Sequence, residues 1–466
     1  MPIRSLKYLM VAAALFGSTV GSTVGCTSAP EIQLTGPYLP GARSSDSARS
    51  GSGEPAYGSM LSGPLTVPAL LELARAHHPA LSAASARLEA ARHMARQAGL
   101  WPNPRAEFEF DDAPLDGKFF ADAAYAFRLS QELPLSGRVG AAYDAAVAQA
   151  RATADELLVT SADVLQNVIA EVIEVLTARQ RLAITQENRT DAQRIRELIE
   201  SLVDAGTIPG AQASRARAAL GRAENQVEDA NRQLLEARAA LADAVGLDAT
   251  QLPALANDLS LPDIDTPPAL ADMVQHAVGP AGANAWLIVA RSRISASREQ
   301  VSAAAAAGGT DLDVTAGIRY AGEARSAQLQ FGVSIPLRFL DHNQGATDAA
   351  RAREAVALAD EQAALNRAIS RIHQAHIALE SHRRQLAMWR DEILPADRET
   401  VTGAEASVRV AALSALELVD AQTTLYQDRL GELETRRQVW LAALDLQIQT
   451  GDPGFFNPFQ LPFDSP

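Results

Sequence analysis

The sequence has almost no cysteine, few aromatic residues and no long apolar segment. Cys26 is the only cysteine among 466 residues, so neither an intrachain disulfide nor a cysteine-based metal site can form. Aromatic residues make up 5% of the chain, and alanine dominates an apolar fraction of 47%. Small, helix-favouring side chains predict closely packed helices. Beyond the N-terminus, no segment approaches the roughly 18 consecutive apolar residues of a transmembrane helix.

Positive charge is also scarce. The chain has 41 basic and 56 acidic residues, a net charge of −15. Removing the N-terminal segment with Arg4 and Lys7 leaves 39 basic residues against 56 acidic ones, or −17. An acidic surface without a basic stripe repels phosphate backbones, which argues against nucleic acid as a partner.

Signatures of catalytic sites are absent as well. The sequence contains no HExxH, no GxSxG, no phosphate-binding loop and no dinucleotide-binding glycine pattern. His373 and His376 are three residues apart and His382 follows, but no carboxylate spacing completes a metal site. We therefore expect no catalytic residue, no bound metal and no cofactor, and we interpret these histidines as exposed or interhelical polar residues.

The N-terminus has the layout of a secretory signal. Arg4 and Lys7 precede a short apolar run from Tyr8 to Gly17, and small residues follow. This pattern predicts a signal peptide over residues 1–25. The segment Thr23-Val24-Gly25-Cys26 resembles a lipobox, although Thr23 replaces the leucine that the pattern prefers.

The lipobox resemblance implies that Cys26 is acylated and anchors the chain to a membrane. The alternative is a spare thiol beyond an ordinary cleavage site, which would be a liability in an oxidising compartment. Residues 26–64 are rich in Gly, Ser and Pro without periodicity, so they predict a lipid-anchored flexible linker.

The remaining sequence repeats itself after about 200 residues. Pro68-Ala69-Leu70 recurs as Pro268-Ala269-Leu270, and Glu132-Leu133-Pro134-Leu135 is echoed by Ser334-Ile335-Pro336-Leu337. Anchors in the same order at offsets of 200 to 205 residues indicate one pair of large units rather than a solenoid. The predicted organisation is a first unit, an inter-repeat linker, a second unit and a tail, covering residues 65–250, 251–267, 268–451 and 452–466.

Each half contains two stretches in which apolar and polar residues alternate. In the second half they run from Asp311 to Tyr320 and from Gln328 to Leu337. In the first half they lie around Phe108 to Phe110 and Tyr125 to Leu133. Period two with charges on one side predicts strands with a dry and a wet face.

A half-buried sheet in a soluble domain would also explain this alternation. Segments of about ten residues, however, match tilted transmembrane strands. Four strands are too few to close a barrel around a water-filled lumen, so a membrane barrel requires several subunits, and three would supply twelve strands.

The predicted helices are unusually long. No proline interrupts Ala141 to Val203, which would span about 95 Å as a helix. Asn343 to Leu394 and Asp397 to Gln449 would each reach roughly 80 Å. Such lengths are typical of coiled coils and helical tunnels.

The layout of helices, two strands and a long helical hairpin, given twice, resembles the TolC-type outer-membrane efflux proteins over Leu65 to about Gly451. Three segments are similar to the branch that serves heavy-metal pumps: LSQELPLSGR at Leu129–Arg138, IPLRFLDHNQG at Ile335–Gly345 and PNPRAEFEF at Pro102–Phe110. The resemblance implies a mainly α-helical fold with a β-barrel part: a homotrimer forming a twelve-stranded outer-membrane barrel continued by a periplasmic α-helical barrel.

The function that the resemblance implies is passive transport. The trimer would be the exit duct of a tripartite efflux pump, anchored in outer-membrane lipid and extending into the periplasm. A periplasmic adaptor and an inner-membrane RND transporter would be its partners, and heavy-metal cations its expected substrates.

The resemblance also assigns candidate site residues. Leu416–Tyr426 is similar to the segment that carries acidic rings at the tunnel mouth, and Glu417 and Asp420 fall on its acidic positions. Three copies would focus a negative potential that selects cations. The alternative is an ordinary solvated helix face. Upstream latch residues of Tyr and Arg type are replaced by Val408 and Leu413.

Two predicted turns correspond to the family's adaptor-contacting tips. They contain Gly206, Thr207 and Ile208 in the first half and Ala411, Leu413 and Ser414 in the second. Competing interpretations are a periplasmic coiled-coil adaptor or scaffold without a membrane barrel and a periplasmic metal-binding protein. The first does not explain the alternating strand pairs, and the second lacks a ligand cluster.

Overall fold

The computed structural model describes residues 65–111, 123–250, 252, 253, 255, 264, 266–280, 282–321, 324–410 and 414–451. The predicted signal peptide, the anchored linker and the C-terminal tail lie outside these residues, and so does Cys26. The predictions for those segments therefore remain predictions.

The described part is mainly helical, with one small sheet, as expected. In its described residues, the first half contains four helices and two strands in the order α1 (Val67–His77), α2 (Pro79–Ala98), β1 (Arg105–Asp111), β2 (Ala124–Leu133), α3 (Arg138–Asp204) and α4 (Ala211–Val245).

The second half has the same order of elements. They are α5 (Leu270–Val278), α6 (Ala285–Ala307), β3 (Leu312–Ala321), β4 (Ser326–Ser334), α7 (Gln344–Met388), a π-helical turn (Trp389–Ile393), α8 (Leu394–Arg409) and α9 (Ala415–Thr450).

The long helix of the first half matches its prediction, whereas the helices predicted for the second half were divided wrongly. Helix α3 has 67 residues, or about 100 Å at 1.5 Å per residue. Pro395 does not separate two helices, because it lies in the first turn of α8, where a missing N–H is tolerated. The chain is instead helical from Gln344 through the π turn to Arg409, and the break comes before α9.

One strand also ends earlier than predicted. Strand β4 stops at Ser334 rather than Leu337. Pro336 has no N–H to donate to a ladder, so pairing cannot continue through it.

Short and long helices combine into rods. Gly246 follows α4 in the left-handed conformation (φ 86°), and a Cβ atom there would lie 3.0 Å from His78 Cα, just before α2. Gly451 (φ 74°) ends α9, and its Cβ would lie 2.1 Å from the Ala283 carbonyl oxygen, just before α6. Only glycine accommodates both the conformation and the approach. Thus α4 meets α2, and α9 meets α6, end to end.

The rods lie side by side in a row. On the sheet side, α2 packs on α3, α3 on α6 and α6 on α7; toward the other end, α4 packs on α3, α3 on α9 and α9 on α8. The largest apolar core lies where α1 and α5 pack against the middle of α3 and the C-terminal parts of α7 and α9. Its fully buried large side chains include Leu70, Leu73, Ile173, Leu241, Met273, Ile372 and Leu379.

The four strands form one antiparallel sheet in the order β1-β2-β3-β4. Phe108 pairs with Phe127, Phe127 with Ile318, and Ile318 with Leu329. This register brings the apolar residues of all four strands onto one face, as the alternation predicted.

In the described residues, no helix is both long enough and apolar enough to span a bilayer.

Candidate functional site

The apolar face of the sheet lies open. Aromatic side chains pair across the strands, with the Phe108 and Phe127 rings 4.8 Å apart and the Tyr125 and Tyr320 rings 6.3 Å apart. On β4, Phe331 remains 77% exposed. No helix of the described chain covers this face, and a contiguous apolar surface of this kind indicates contact with lipid or another protein.

The opposite face is polar and bonded across the strands. Arg128, on β2, donates from Nη1 to Glu109 on β1, and its Nε lies 3.4 Å from Gln330 Oε1 on β4. It also lies 3.9 Å from Glu107. The sheet thus has one dry and one wet face, as the sequence predicted.

Both edges of the sheet are open in the described chain. Strand β1 pairs only with β2, and β4 pairs only with β3. Helices α2 and α7, which flank these strands in sequence, lie at the two ends of the helix row. Unpaired edge strands are templates for further pairing, so the described sheet leaves two edges available for it.

The segment Leu129–Arg138, at the end of β2, forms the connection between sheet and helices. Arg138 Nε lies 2.5 Å from Asp311 Oδ2, and its Nη2 lies 2.5 Å from Glu132 Oε1. The Ser136 backbone N–H also donates to Asp311, at 3.1 Å. Burial alone would raise the pKa of Asp311, but the hydrogen bonds from Ser136 and Arg138 hold it below its ordinary value. This cluster ties the first half to the second.

At the other end, two helical hairpins come together. The α3–α4 and α8–α9 hairpins share an apolar cluster that includes Ile199, Val408 and Leu418. Polar contacts join the same helices: Gln212 Oε1 accepts from the Ala415 N–H at 3.0 Å, and Gln422 donates to Asp191 at 3.1 Å. Those predicted site residues of the two hairpins that the structure describes thus lie at one end of the molecule.

The tip of the first hairpin is a tight turn. Gly206 adopts the left-handed conformation (φ 72°), and the Thr207 N–H donates to the Leu202 carbonyl at 2.9 Å, which closes the end of α3. Gly206 and Thr207 are exposed, whereas Ile208 is half-buried against the shared apolar cluster. In the second tip, Ala411 and Leu413 lie outside the described residues.

Glu417 has a structural role that the prediction did not include. The Ser414 side chain accepts from the Glu417 N–H at 3.4 Å, and Glu417 Oε2 accepts from the Ser414 N–H at 3.3 Å. This capping box starts α9. Its signature, Ser followed three residues later by Glu, was readable in the sequence.

Asp420 lies one turn further along α9. It is exposed and makes no hydrogen bond or ion pair with the described part of the chain. Glu417 and Asp420 therefore lie close together near the tip, the first as a capping residue and the second as an unshielded charge.

Two carboxylates that share one guanidinium group between the helices, Asp163 and Asp445, were not predicted. Burial raises the pKa of Asp163 on α3 and of Asp445 on α9, and the positive charge of Arg371 on α7 partly opposes both shifts. These residues are far apart in sequence, so no local motif could reveal them.

The sequence pattern of outer membrane efflux proteins matches residues 70–247 and 283–452. The chain belongs to the outer membrane efflux protein family. It is therefore an outer-membrane efflux channel protein, a transport component and not an enzyme.

Related proteins agree with this assignment. The chain is 26% identical over 393 residues to the cobalt-zinc-cadmium resistance protein CzcC of Cupriavidus metallidurans, covering 84% of this chain and 90% of that protein. Its fold is similar to that of CusC, with a TM-score of 0.71 and 20% identity over 83% of this chain and 92% of CusC. The open MtrE outer membrane channel of Neisseria gonorrhoeae gives a TM-score of 0.68 at 18% identity, covering 84% and 90% of the two chains.

In this efflux protein, the histidines stay apart from any cluster that could bind a metal. Among the described residues, no three His, Cys, Asp or Glu side chains converge at metal-binding distance. His382 Nδ1 lies 3.3 Å from Gln385 Oε1 on its own helix.

Proposed function

We propose that three copies of this efflux protein form a passive exit duct for heavy-metal cations. A periplasmic adaptor would couple the duct to an inner-membrane RND transporter that supplies the energy. The observation that carries this proposal is the four-stranded sheet, whose dry face is exposed and whose two edges are unpaired within the described chain. A scaffold that never entered a bilayer would have no use for such a face.

The two unpaired edges of the described sheet support a trimer. If β4 of one copy pairs with β1 of the next, three sheets close into twelve strands with no edge left. The row of helices would close in the same way, with α7 of one copy next to α2 of its neighbour. The barrel would then continue into a helical tunnel about 100 Å long.

Charge supports cations as the substrate. In the described strands, the wet face carries five carboxylates and three guanidinium groups: Glu107, Glu109, Asp111, Glu132 and Asp313 against Arg105, Arg128 and Arg319. Three copies would give the lumen a net charge of −6 from these residues. Glu417 and Asp420 would add a second acidic ring at the tunnel mouth, which lowers the energy of cations there. The relative CzcC is itself a cobalt-zinc-cadmium resistance protein.

The hairpin tips are the proposed contacts for the adaptor. Gly206, Thr207 and Ser414 are exposed at the end of the molecule opposite the sheet, with Ile208, Ala411 and Leu413 beside them in sequence. At the other end, an acylated Cys26 would tether the chain to outer-membrane lipid.

Disulfide trapping across the open edges tests the duct. Cysteines at Glu107 on β1 and at each of Gln328, Gln330 and Gly332 on β4 are expected to yield covalent trimers on oxidation in membranes. Ser130, in the centrally placed β2, is the matched control and should give none. A water-soluble monomer without edge cross-links would contradict the proposal.

Metal tolerance tests the substrate separately. A strain that lacks this protein is expected to lose tolerance to zinc, cobalt, cadmium or copper, and complementation should restore it. Sensitivity to organic toxicants alone would contradict the assignment of cations while leaving the trimer intact.

A further inference from the structure

The connections between sheet and helices expose large apolar side chains at one level of the molecule. These residues, here named the junction collar, are Leu100, Trp101, Leu135, Leu337, Phe339 and Leu340, and their exposure ranges from 58% to 79%. They lie in three separate connections, from α2 to β1, from β2 to α3 and from β4 to α7. Isolated exposed apolar residues are common, but six in three adjoining loops form a surface.

The loop that carries half of the collar is held in a fixed arrangement. Arg338 Nη1 donates to the Ala307 carbonyl at 2.7 Å, and Asn343 Nδ2 donates to the Ala304 carbonyl at 2.7 Å. Both bonds satisfy carbonyl groups in the last turn of α6, which have no partner within the helix. Arg338 and Asn343 are thereby hydrogen-bonded to α6, while the side chains of Leu337 and Phe339 remain exposed.

The collar continues the dry face of the sheet. Leu329, Phe331 and Val333 alternate along β4 on the exposed apolar face. The same alternation passes through Ile335 to Leu337, beyond the end of the strand. An apolar surface that extends past the strands toward the helices would meet the same environment as the strands do.

A second copy of the chain cannot cover the whole collar. A neighbour reaches only the sheet edges, β1 and β4. Leu135, however, follows β2, which lies between β1 and β3, and it is as exposed as the residues beside the edges. An occupant that contacts edge and centre alike must surround the sheet, and a lipid leaflet does so.

We propose that the junction collar is a lipid-binding surface, which inserts into the leaflet of the outer membrane that faces the helical tunnel. The inference rests on the proposed position of the sheet in that membrane. Trp101 fits the assignment, since tryptophan prefers the interface between headgroups and acyl chains. The collar would fix how deeply the barrel sits and prevent it from sliding along the membrane normal.

Quenching of tryptophan fluorescence by brominated phosphatidylcholine tests the collar in proteoliposomes of the full chain. The wild type is expected to lose more emission than Trp101→Phe when bromine is placed near the headgroup. In the Trp101→Phe background, Phe339→Trp should be quenched more strongly by shallow than by deep bromines. Leu235→Trp, at an exposed site on α4, is the tunnel control that no lipid should quench.

Phe331→Trp, in the same background, separates failure of the collar from failure of the duct. If Phe331→Trp is quenched but Trp101 and Phe339→Trp are not, the collar is overturned while the barrel stands. If none is quenched, the sheet is not in lipid, and both proposals fall. Disulfide-linked copies formed through Phe339→Cys would assign that loop to a subunit contact and likewise overturn the inference.

Discussion

Arg128 and Gly317 lie directly opposite each other on neighbouring strands of the wet face. Because Gly317 has no side chain, Arg128 extends across β3 and reaches Gln330 on the far strand. A Cβ atom at Gly317 would lie 3.0 Å from Arg128 Cγ and 2.6 Å from the Phe127 carbonyl oxygen. The glycine thus leaves room for the Arg128 guanidinium to bridge Glu109 on β1 and Gln330 on β4.

Gly317→Ala is therefore expected to destabilise the sheet. The added methyl group must displace either the backbone of Phe127 or the side chain of Arg128. Overpacking of this kind costs about 1–3 kcal/mol. The measurement is the temperature at which the detergent-solubilised oligomer dissociates. Gly332→Ala is the matched control, since its Cβ would meet only Thr315, at 3.8 Å. Equal effects of the two substitutions would argue against the bridge.

Capping and charge at the tunnel mouth can be separated. Glu417→Gln keeps a side chain that completes a capping box, so Glu417→Gln with Asp420→Asn should reduce cation selectivity without lowering stability. Ser414→Ala removes the cap instead and should cost about 1 kcal/mol at unchanged selectivity. Reversal potentials in planar bilayers measure selectivity, and thermal unfolding measures stability. If selectivity stayed unchanged in the charge-neutral double variant, both residues would lose their proposed role.

The raised pKa values of Asp163 and Asp445 predict a dependence of stability on pH. The pKa values of Asp163 and Asp445 are raised by burial and would rise further in Arg371→Gln, which removes the opposing charge. A raised carboxyl pKa costs stability above that pKa, and the cost disappears as pH falls toward the ordinary value of the unfolded chain.

The stability lost in Arg371→Gln should accordingly be larger at pH 8 than near pH 4. Thermal unfolding of the variant and the wild type at both values measures this difference. Arg367→Gln, one turn earlier on α7, is the control, because Arg367 contributes to neither shift and bonds the carbonyl of Ala363 on its own helix. A loss independent of pH would mean that Arg371 acts through packing alone.

Much of the fold could be predicted because its signals are local and periodic. The register places Phe108, Phe127, Ile318 and Leu329 on one face, as alternation alone predicted. The 67-residue helix α3 follows from a long segment without proline. The end of β4 was misjudged because apolar alternation continues through Pro336, where hydrogen bonding stops. Beyond the strand, the same alternation leads through Ile335 to Leu337 of the junction collar.

The features that sequence reasoning missed depend on contacts between distant residues. Asp311 is 173 residues from Arg138, and the Asp163, Arg371 and Asp445 group joins three helices. The π turn has no sequence signature, so Pro395 was interpreted as the helix boundary. The capping box at Ser414 and Glu417 is different, because its local pattern was available and was overlooked in favour of the acidic-ring interpretation.

Trp389 marks the place where the second long helix departs from regular α geometry. It begins the π turn, and its indole Nε1 donates to Thr435 Oγ1 on α9 at 3.0 Å. Gly431, one turn before Thr435, lies beneath the ring, and a Cβ atom there would be 3.0 Å from Trp389 Cζ2. Next to it, Arg390 Nε lies 3.3 Å from the buried carboxylate of Glu432. The π turn is thus held against α9 by packing of the indole ring, a hydrogen bond and an ion pair.

Gly431→Ala is expected to push the indole off α9 and destabilise the second hairpin. A displaced ring would lose the Thr435 hydrogen bond, worth about 1 kcal/mol, and overpacking would add to this loss. Gly403→Ala on α8 is the matched control, because its Cβ meets nothing within 4 Å and alanine favours a helix over glycine by about 1 kcal/mol. The two glycine-to-alanine substitutions should therefore shift the unfolding temperature in opposite directions. Stabilisation by Gly431→Ala would show that the π turn does not depend on the packing of Trp389 against α9.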